Sequence, residues 1–377
     1  MPPTNIARAF GIIDDGTVGG KGYDDLATST ADANGYTRVV PDANIWVPAT
    51  GGTLDKNVER IDRNAEARGL RAVTPMLSFR AAPVLTVPFM AYPLLVAKFL
   101  KKTMGGVDTV SGSTAAGYLH TIASITGLGV TGLPAFHGQI VRDDLNHKVA
   151  GASSNRLALA FPLDGEGTVE LEAWGKWHKN DPAPAPTPSF TGLGDDVLML
   201  RDAKVYVDGS TTSITDLTTF EITWVNNLAR HFYGGRNIET RVALGTNISS
   251  PANDLRRTRK TWYPSENRVG AAQDVTFALG FGSVNGAQEL AFDFSQLEQF
   301  VFECTGGPIA GTSVAGASVY ETLRFTIMNG QWTGGGPDGL SARDDITSRY
   351  EGTAFYSDAL TTDVKVEWLT GSSVALT

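Results

Sequence analysis

Residues 142–151 read RDDLNHKVAG, and residues 343–352 read RDDITSRYEG. Arg142, Asp143, Asp144 and Gly151 thus meet Arg343, Asp344, Asp345 and Gly352 at a constant offset of 201, with Leu145 opposite Ile346 and Lys148 opposite Arg349. A chain with such a repeat holds two copies of a site or two copies of a fold, and either choice fixes most of its architecture. Further segments repeat in the same order. VTPMLSF (73–79) lies opposite VTFALGF (275–281), VAKFLKKTMGG (96–106) opposite LEQFVFECTGG (297–307), and YLHTIASI (118–125) opposite YETLRFTI (320–327). TVELEAWG (168–175) then lies opposite DVKVEWLTG (363–371). VERIDRN (58–64) sets against FEITWVN (220–226), which leaves an insertion in the second half at about residues 228–270.

The copies are copies of a fold. His137, Asp143, Asp144 and His147 are the best candidates for a metal or acid–base cluster, since imidazole and carboxylate together suit a non-haem metal. Opposite His137 and His147, however, stand Asp338 and Ser348, so the ligand types change while the arginine, the aspartates and the glycine stay. A structural turn keeps that set, its carboxylates accepting bonds from turn amides and its arginine bridging neighbouring segments.

At 377 residues the chain exceeds the roughly 250–300 that one core usually serves, so two domains are expected. The boundary is placed at NDPAPAPTPSF (180–190), whose alternating prolines favour an extended spacer. Residues 1–179 form the first unit and residues 191–377 the second, which carries the insertion. The 42 glycines and 18 prolines mark frequent turns, and AKVYVDG, TTFEITWV, RLALAFPL and VELEAW alternate in the manner of strands. Val96, Phe99 and Leu100, like Leu297, Phe300 and Val301, fall at i, i+3, i+4 before paired glycines, which predicts one helix in each half. The expected fold is mainly β, two tandem antiparallel units with one packed helix each.

A net charge of −9 excludes a protein that grips nucleic acid over its whole surface. The single cysteine, Cys304, excludes an internal disulfide and any zinc site built on cysteines, and points to a reducing compartment. MPPTNIARAFGIIDDG lacks the basic start and apolar run of a signal peptide. The uncharged stretch from Ala81 to Ala97 is broken by Pro83, Pro88 and Pro93, so it predicts a buried strand running into a short helix and no membrane span.

GLGVTG (127–132) fits G-x-G-x-x-G, but Pro134 and the strand-like AFHGQIV follow where a helix would have to open, so it is a turn. No serine sits in a nucleophile elbow, and the five histidines are scattered; no enzyme, cofactor or metal is expected. Trp174 and Trp177 predict core or interface packing ahead of ligand stacking. LRRTRKTWYP (255–264) lies inside the insertion, and its Arg256, Arg257, Arg259, Lys260, Trp262 and Tyr263 read as an assembly arm ahead of a nucleic-acid patch.

From 197 to 235 the sequence VLMLRDAKVYVDGSTTSITDLTTFEITWVNNLARHFYGG has a short strand with a VDG turn, then a strand ending in paired asparagines. It resembles the tail tube (major tail) proteins of long-tailed bacteriophages, and the first half fits the pattern more loosely. The resemblance implies β-sandwich tube domains with one flanking helix, whose strands join those of neighbouring domains into a barrel around a DNA channel. Two such units per chain imply a pseudo-hexameric ring of three chains, stacked into a tube in the virion tail after assembly in the bacterial cytoplasm. It also implies tape measure, tail terminator or distal tail proteins as partners, and viral DNA passing a neutral or negative wall without tight binding. A carbohydrate-binding or adhesin-like tail component is the alternative.

Overall fold

The structure is a computed structural model that describes residues 9–13, 43, 45–61, 77–124, 133–142, 145–181, 186–190, 193, 196–214, 216–231, 266–269, 272–282, 296–314, 316–338, 347–359, 361–374 and 376. The first half holds β1 (Ala9–Ile13), β2 (Ile45–Val47), β3 (Thr53–Asp55), β4 (Val58–Ile61), β5 (Leu77–Ala81), β6 (Val84–Met90), α1 (Pro93–Met104), β7 (Gly105–Ser113), β8 (Gly117–Ser124), β9 (Phe136–Arg142), β10 (Leu145–Pro162), β11 (Thr168–Trp174) and β12 (Trp177–Asp181). The second holds β13 (Ala203–Val207), β14 (Leu217–Val225), β15 (Leu228–His231), β16 (Glu266–Val269), β17 (Asp274–Phe281), β18 (Leu297–Val314), β19 (Ala317–Asp338), β20 (Thr347–Phe355) and β21 (Val364–Thr370). The protein is mainly β, every ladder is antiparallel, and α1 is the one α-helix among the described residues.

Period-2 burial makes the strands. β6 buries Leu85, Val87 and Phe89, β11 buries Val169, Leu171 and Ala173, and β14 buries Phe220, Ile222 and Trp224, each set alternating with wetter positions. The proline-broken stretch from Ala81 to Ala97 becomes the end of β5, all of β6 and the start of α1. Pro93 opens α1, where its missing N–H costs nothing, and Gly105 closes it at φ 72, its N–H bonded to the carbonyl of Lys101. No helix among the described residues is long and apolar enough to cross a membrane.

The helix expected over 297–307 is a strand. Phe300, Phe302 and Cys304 are all buried, whereas Leu297, which the helical pattern needs inside, is 59% exposed. LEQFVFEC satisfies both periods, and pairing to β13 on one side and β19 on the other decides for the shorter one.

Pairing recurs between the halves. In the first, β1 pairs β9, β9 pairs β10, β10 pairs β11 and β12, β11 pairs β6, and β6 pairs β3. In the second, β13, β18, β19, β20, β21, β17 and β14 occupy the places of β1, β9, β10, β11, β12, β6 and β3. Each circuit closes through an isolated bridge, Ala49 to Phe89 in the first half and Val205 to Ile214 in the second. The small ladders β4–β5 and β15–β16 also stand at matching places, between β3 and β6 and between β14 and β17. The hairpin β7–β8 has no counterpart in the second half among the described residues.

Two ladders cross between the halves, β10 with β14 and β8 with β21. The first crossing makes a row of eight strands in the order β3-β6-β11-β10-β14-β17-β20-β19. No ladder joins β3 to β19 among the described residues, and β18 covers the outer edge of β19 only as far as Gln331. Beneath it one apolar core runs through both halves: Phe161 of the first packs on Phe302 of the second at 5.2 Å, and Phe302 stacks on Phe220 at 3.8 Å.

A buried polar clasp locks the crossing. Asn226, just past β14, donates through Nδ2 to the carbonyls of Thr103 and Ser154, both at 2.9 Å, and accepts from Gln273 Nε2 at 2.6 Å. Ser124 donates to Gln273 Oε1 at 3.0 Å. The chain end is tied down as well. Buried His120 bridges Asp108 Oδ2 and the carbonyl of Ser372, both at 2.9 Å, and Asp108 also accepts the N–H of buried Leu376.

Candidate assembly surface

Strand alternation gives the eight-strand row one face toward the core and one toward water. Cross-strand registers place Asp55, Val84 and Trp174 in one line on the outward face, Thr86, Glu172, Arg156 and Val225 in the next, and Pro88, Glu170, Ala158, Thr223, Thr276 and Thr353 in a third. A fourth runs Thr168, Ala160, Glu221, Ala278, Glu351 and Gly334. Threonine, alanine and glycine fill eight of the twelve positions in the third and fourth lines, so the face is shallow there.

Its charge is negative. Among the described residues it carries the carboxylates Asp55, Glu170, Glu172, Glu221, Asp274 and Glu351 against Arg230 of β15, over Trp174, and two guanidiniums of its own strands, Arg156 and Arg349. Both arginines are occupied. Arg156 pairs with Glu170, and Arg349 donates to both oxygens of Glu221 at 3.0 and 2.9 Å with Glu351 at 3.6 Å. These bonds hold Arg349 above its ordinary range, the hydrogen bond to Glu221 leading. A phosphate approaching this face meets carboxylates and arginines already paired.

At one corner Arg230 of β15 lies over the Trp174 ring, 4.2 Å from its centroid, and donates to the Pro83 carbonyl at 3.2 Å. Burial holds this guanidinium below its ordinary range, with Glu172 opposing. The ladder β15–β16 is thus the root of residues 232–265. The expected assembly arm, Arg256, Arg257, Arg259, Lys260, Trp262 and Tyr263, lies in that segment, outside the described residues.

The repeated RDD runs stand at different points of the topology. Arg142 ends β9 and Gly151 lies in β10, whereas Gly352 lies in β20, the counterpart of β11. The offset of 201 is therefore not the one by which the pairing repeats. Asp143, Asp144, Arg343, Asp344 and Asp345 lie outside the described residues. The glycines serve different needs: Gly151 sits at φ +58 in the irregular stretch of β10, whereas a Cβ on Gly352 would come within 2.5 Å of the Phe277 ring.

Of the expected metal candidates, His137 is buried and accepts the Gly151 N–H at 3.3 Å. His147 Nδ1 lies 3.2 Å from Nε2 of His178. No group of three metal-ligating side chains occurs among the described residues. Burial, then Lys56 and His147, lower His178 from 6.5 to about 3. Between those values the unfolded chain binds a proton that the folded chain refuses, so this contribution to stability is full above 6.5 and lost as pH falls toward about 3. His178→Asn should flatten that span of the acid limb when unfolding midpoints are measured against pH.

Trp46, Trp224, Trp332 and Trp368 are buried, and Trp174 is covered by Arg230. Cys304 is a buried thiol pushed up to about 12 by its burial. GLGVTG and the side chain of Trp177 lie outside the described residues. Sequence reasoning did not anticipate the outward face as a unit, because its residues come from eight strands in both halves. The signal was there in the polar phase of VELEAW and TTFEITWV, whose Glu170, Glu172, Glu221 and Thr223 all lie on it. Compared with known proteins, the chain matches no protein-family model and no curated protein.

Proposed function

We propose that the protein is a structural subunit of a virion tail tube, built from two tandem tube-like units and closing as a ring of three chains around a channel for DNA. One observation carries this: a single row of eight strands runs through both halves, with β3 at one end and Trp332–Asp338 of β19 at the other carrying no outer ladder among the described residues, and with a wet and net acidic outer face. An isolated β-domain hides or blunts its sheet edges, whereas a subunit of a shared barrel uses them. Three copies supply twenty-four strands. At ~4.8 Å per strand they span about 115 Å, a barrel about 37 Å across between backbones, more if the strands tilt. With the acidic face inward, DNA slides past without the phosphate contacts that a basic lining would make.

Rings then stack head to tail. Assembly in a bacterial cytoplasm, and tape measure and terminator or distal tail proteins at the tube's ends, belong to the same proposal. Negative-stain electron microscopy of the purified protein tests it: rings or tubes are expected without added sugar, and a small closed oligomer that binds glycan would instead favour an adhesin.

The basic arm should join subunits or stacked rings, since its charge complements an acidic neighbour. Charge reversal at Arg256 and Arg257 should impair tube growth by about tenfold or more, as interface arginines are frequent anchors. The unfolding midpoint should stay unchanged. Wild-type polymerisation by the double variant would remove the arm from assembly.

A further inference from the structure

The crossing inside one chain is a template for the contact between chains. One edge of β10 pairs with β12 and then β11; the other pairs with β9 and then, from Arg156 to Pro162, with β14. β19 repeats this arrangement. One of its edges pairs with β21 and then β20, and the other with β18 as far as Gln331. From Trp332 to Asp338 that second edge carries no ladder among the described residues, although it is the place where β14 docks on β10. The counterpart of β14 is β3, which pairs with β6 alone and leaves its outer edge without a ladder among the described residues.

From this we infer that Trp332–Asp338 of β19 receives β3 of a second copy of this chain, antiparallel, as β10 receives β14 within one chain. A second copy is the occupant because β3 and the Trp332–Asp338 stretch of β19 are the unpaired ends of one row among the described residues. The inference rests on the tube proposal and names its joint. Gly334, Gly335 and Gly336 carry no side chain that could fold over the edge and shield it. Neither Thr53–Asp55 nor Trp332–Asp338 contains a lysine, although Lys56 follows β3 directly, and Pro337 stands at the far end of the β19 edge. Leu297, beside Gln331 where the ladder stops, is 59% exposed, an apolar group at the seam.

Hydrogen exchange followed by mass spectrometry, on dissociated chains and on assembled rings of the full-length protein, tests the joint. Amides over 53–55 and 332–338 should exchange about tenfold or more slowly in the ring, as newly paired edge amides do. As a second readout, Asp55→Cys chains mixed with Gly334→Cys or Gly336→Cys chains should give disulfide-linked dimers on oxidation, in rings only. Rings in which both segments exchange as fast as in the free chain, and no cysteine mixture cross-links, would overturn the joint and leave the tube proposal standing. Absence of rings by electron microscopy would overturn both.

Discussion

Asn226→Ala should lower stability by about 3 kcal/mol, read as a shift of the urea midpoint at constant slope. The side chain is buried and serves three partners: the carbonyls of Thr103 and Ser154, and the amide of Gln273. Alanine removes all three bonds and leaves only the long one, 3.4 Å, from Gln273 Nε2 to the Thr103 carbonyl, and the cost of an unmade buried bond exceeds the net worth of a made one. Thr103 and Ser154 belong to the first half and Asn226 to the second, so the loss falls on the joint between them. Asn227 is the control. It is half-buried, at φ 47, and its bonds reach the Ala272 carbonyl and Asp274 near the surface. Asn227→Gly keeps the backbone geometry and should cost less than about 1 kcal/mol.

Phe302→Ala should cost about 3–5 kcal/mol in the same assay, the range for an aromatic removed from a packed core. The ring is 2% exposed and lies parallel to Phe220, with Phe161 and Phe325 at 5.2 and 6.0 Å. Deleting it opens a cavity bordered by both halves. Leu297→Ala should change stability by no more than about 0.5 kcal/mol, because a side chain already in water has little burial to lose. The pair separates strand from helix. On a helix with Leu297, Phe300 and Val301 inward, Leu297 would be the costly one and Phe302 would lie off the buried face.

Much of the sheet was legible in the sequence, and for one reason. Where a strand has one wet face, as in VELEAW and TTFEITWV, burial leaves a period of two that no helix shares. LEQFVFEC lacks that clarity, because Val301 between Phe300 and Phe302 makes an apolar patch at helical spacing too, and the partners that decide are β13 and β19, remote in sequence. Repeated strings show in the sequence, but the register at which the strand pairing recurs does not. Similar strings such as the RDD runs need not stand at equivalent places, since the pairing that defines equivalence is carried by the backbone. The outward face was hidden for a related reason: Glu170 and Glu221 stand far apart in sequence and are brought near one another by a ladder between the halves.

Native mass spectrometry of the single ring tests the trimeric tube most directly. The chain weighs 40.1 kDa, so three copies give three times that, about 120 kDa, with cryo-EM class averages showing true threefold and only approximate sixfold symmetry. A ring of six chains, six times 40.1 kDa or about 241 kDa, would contradict it, because one half of every chain would then have to lie outside the barrel.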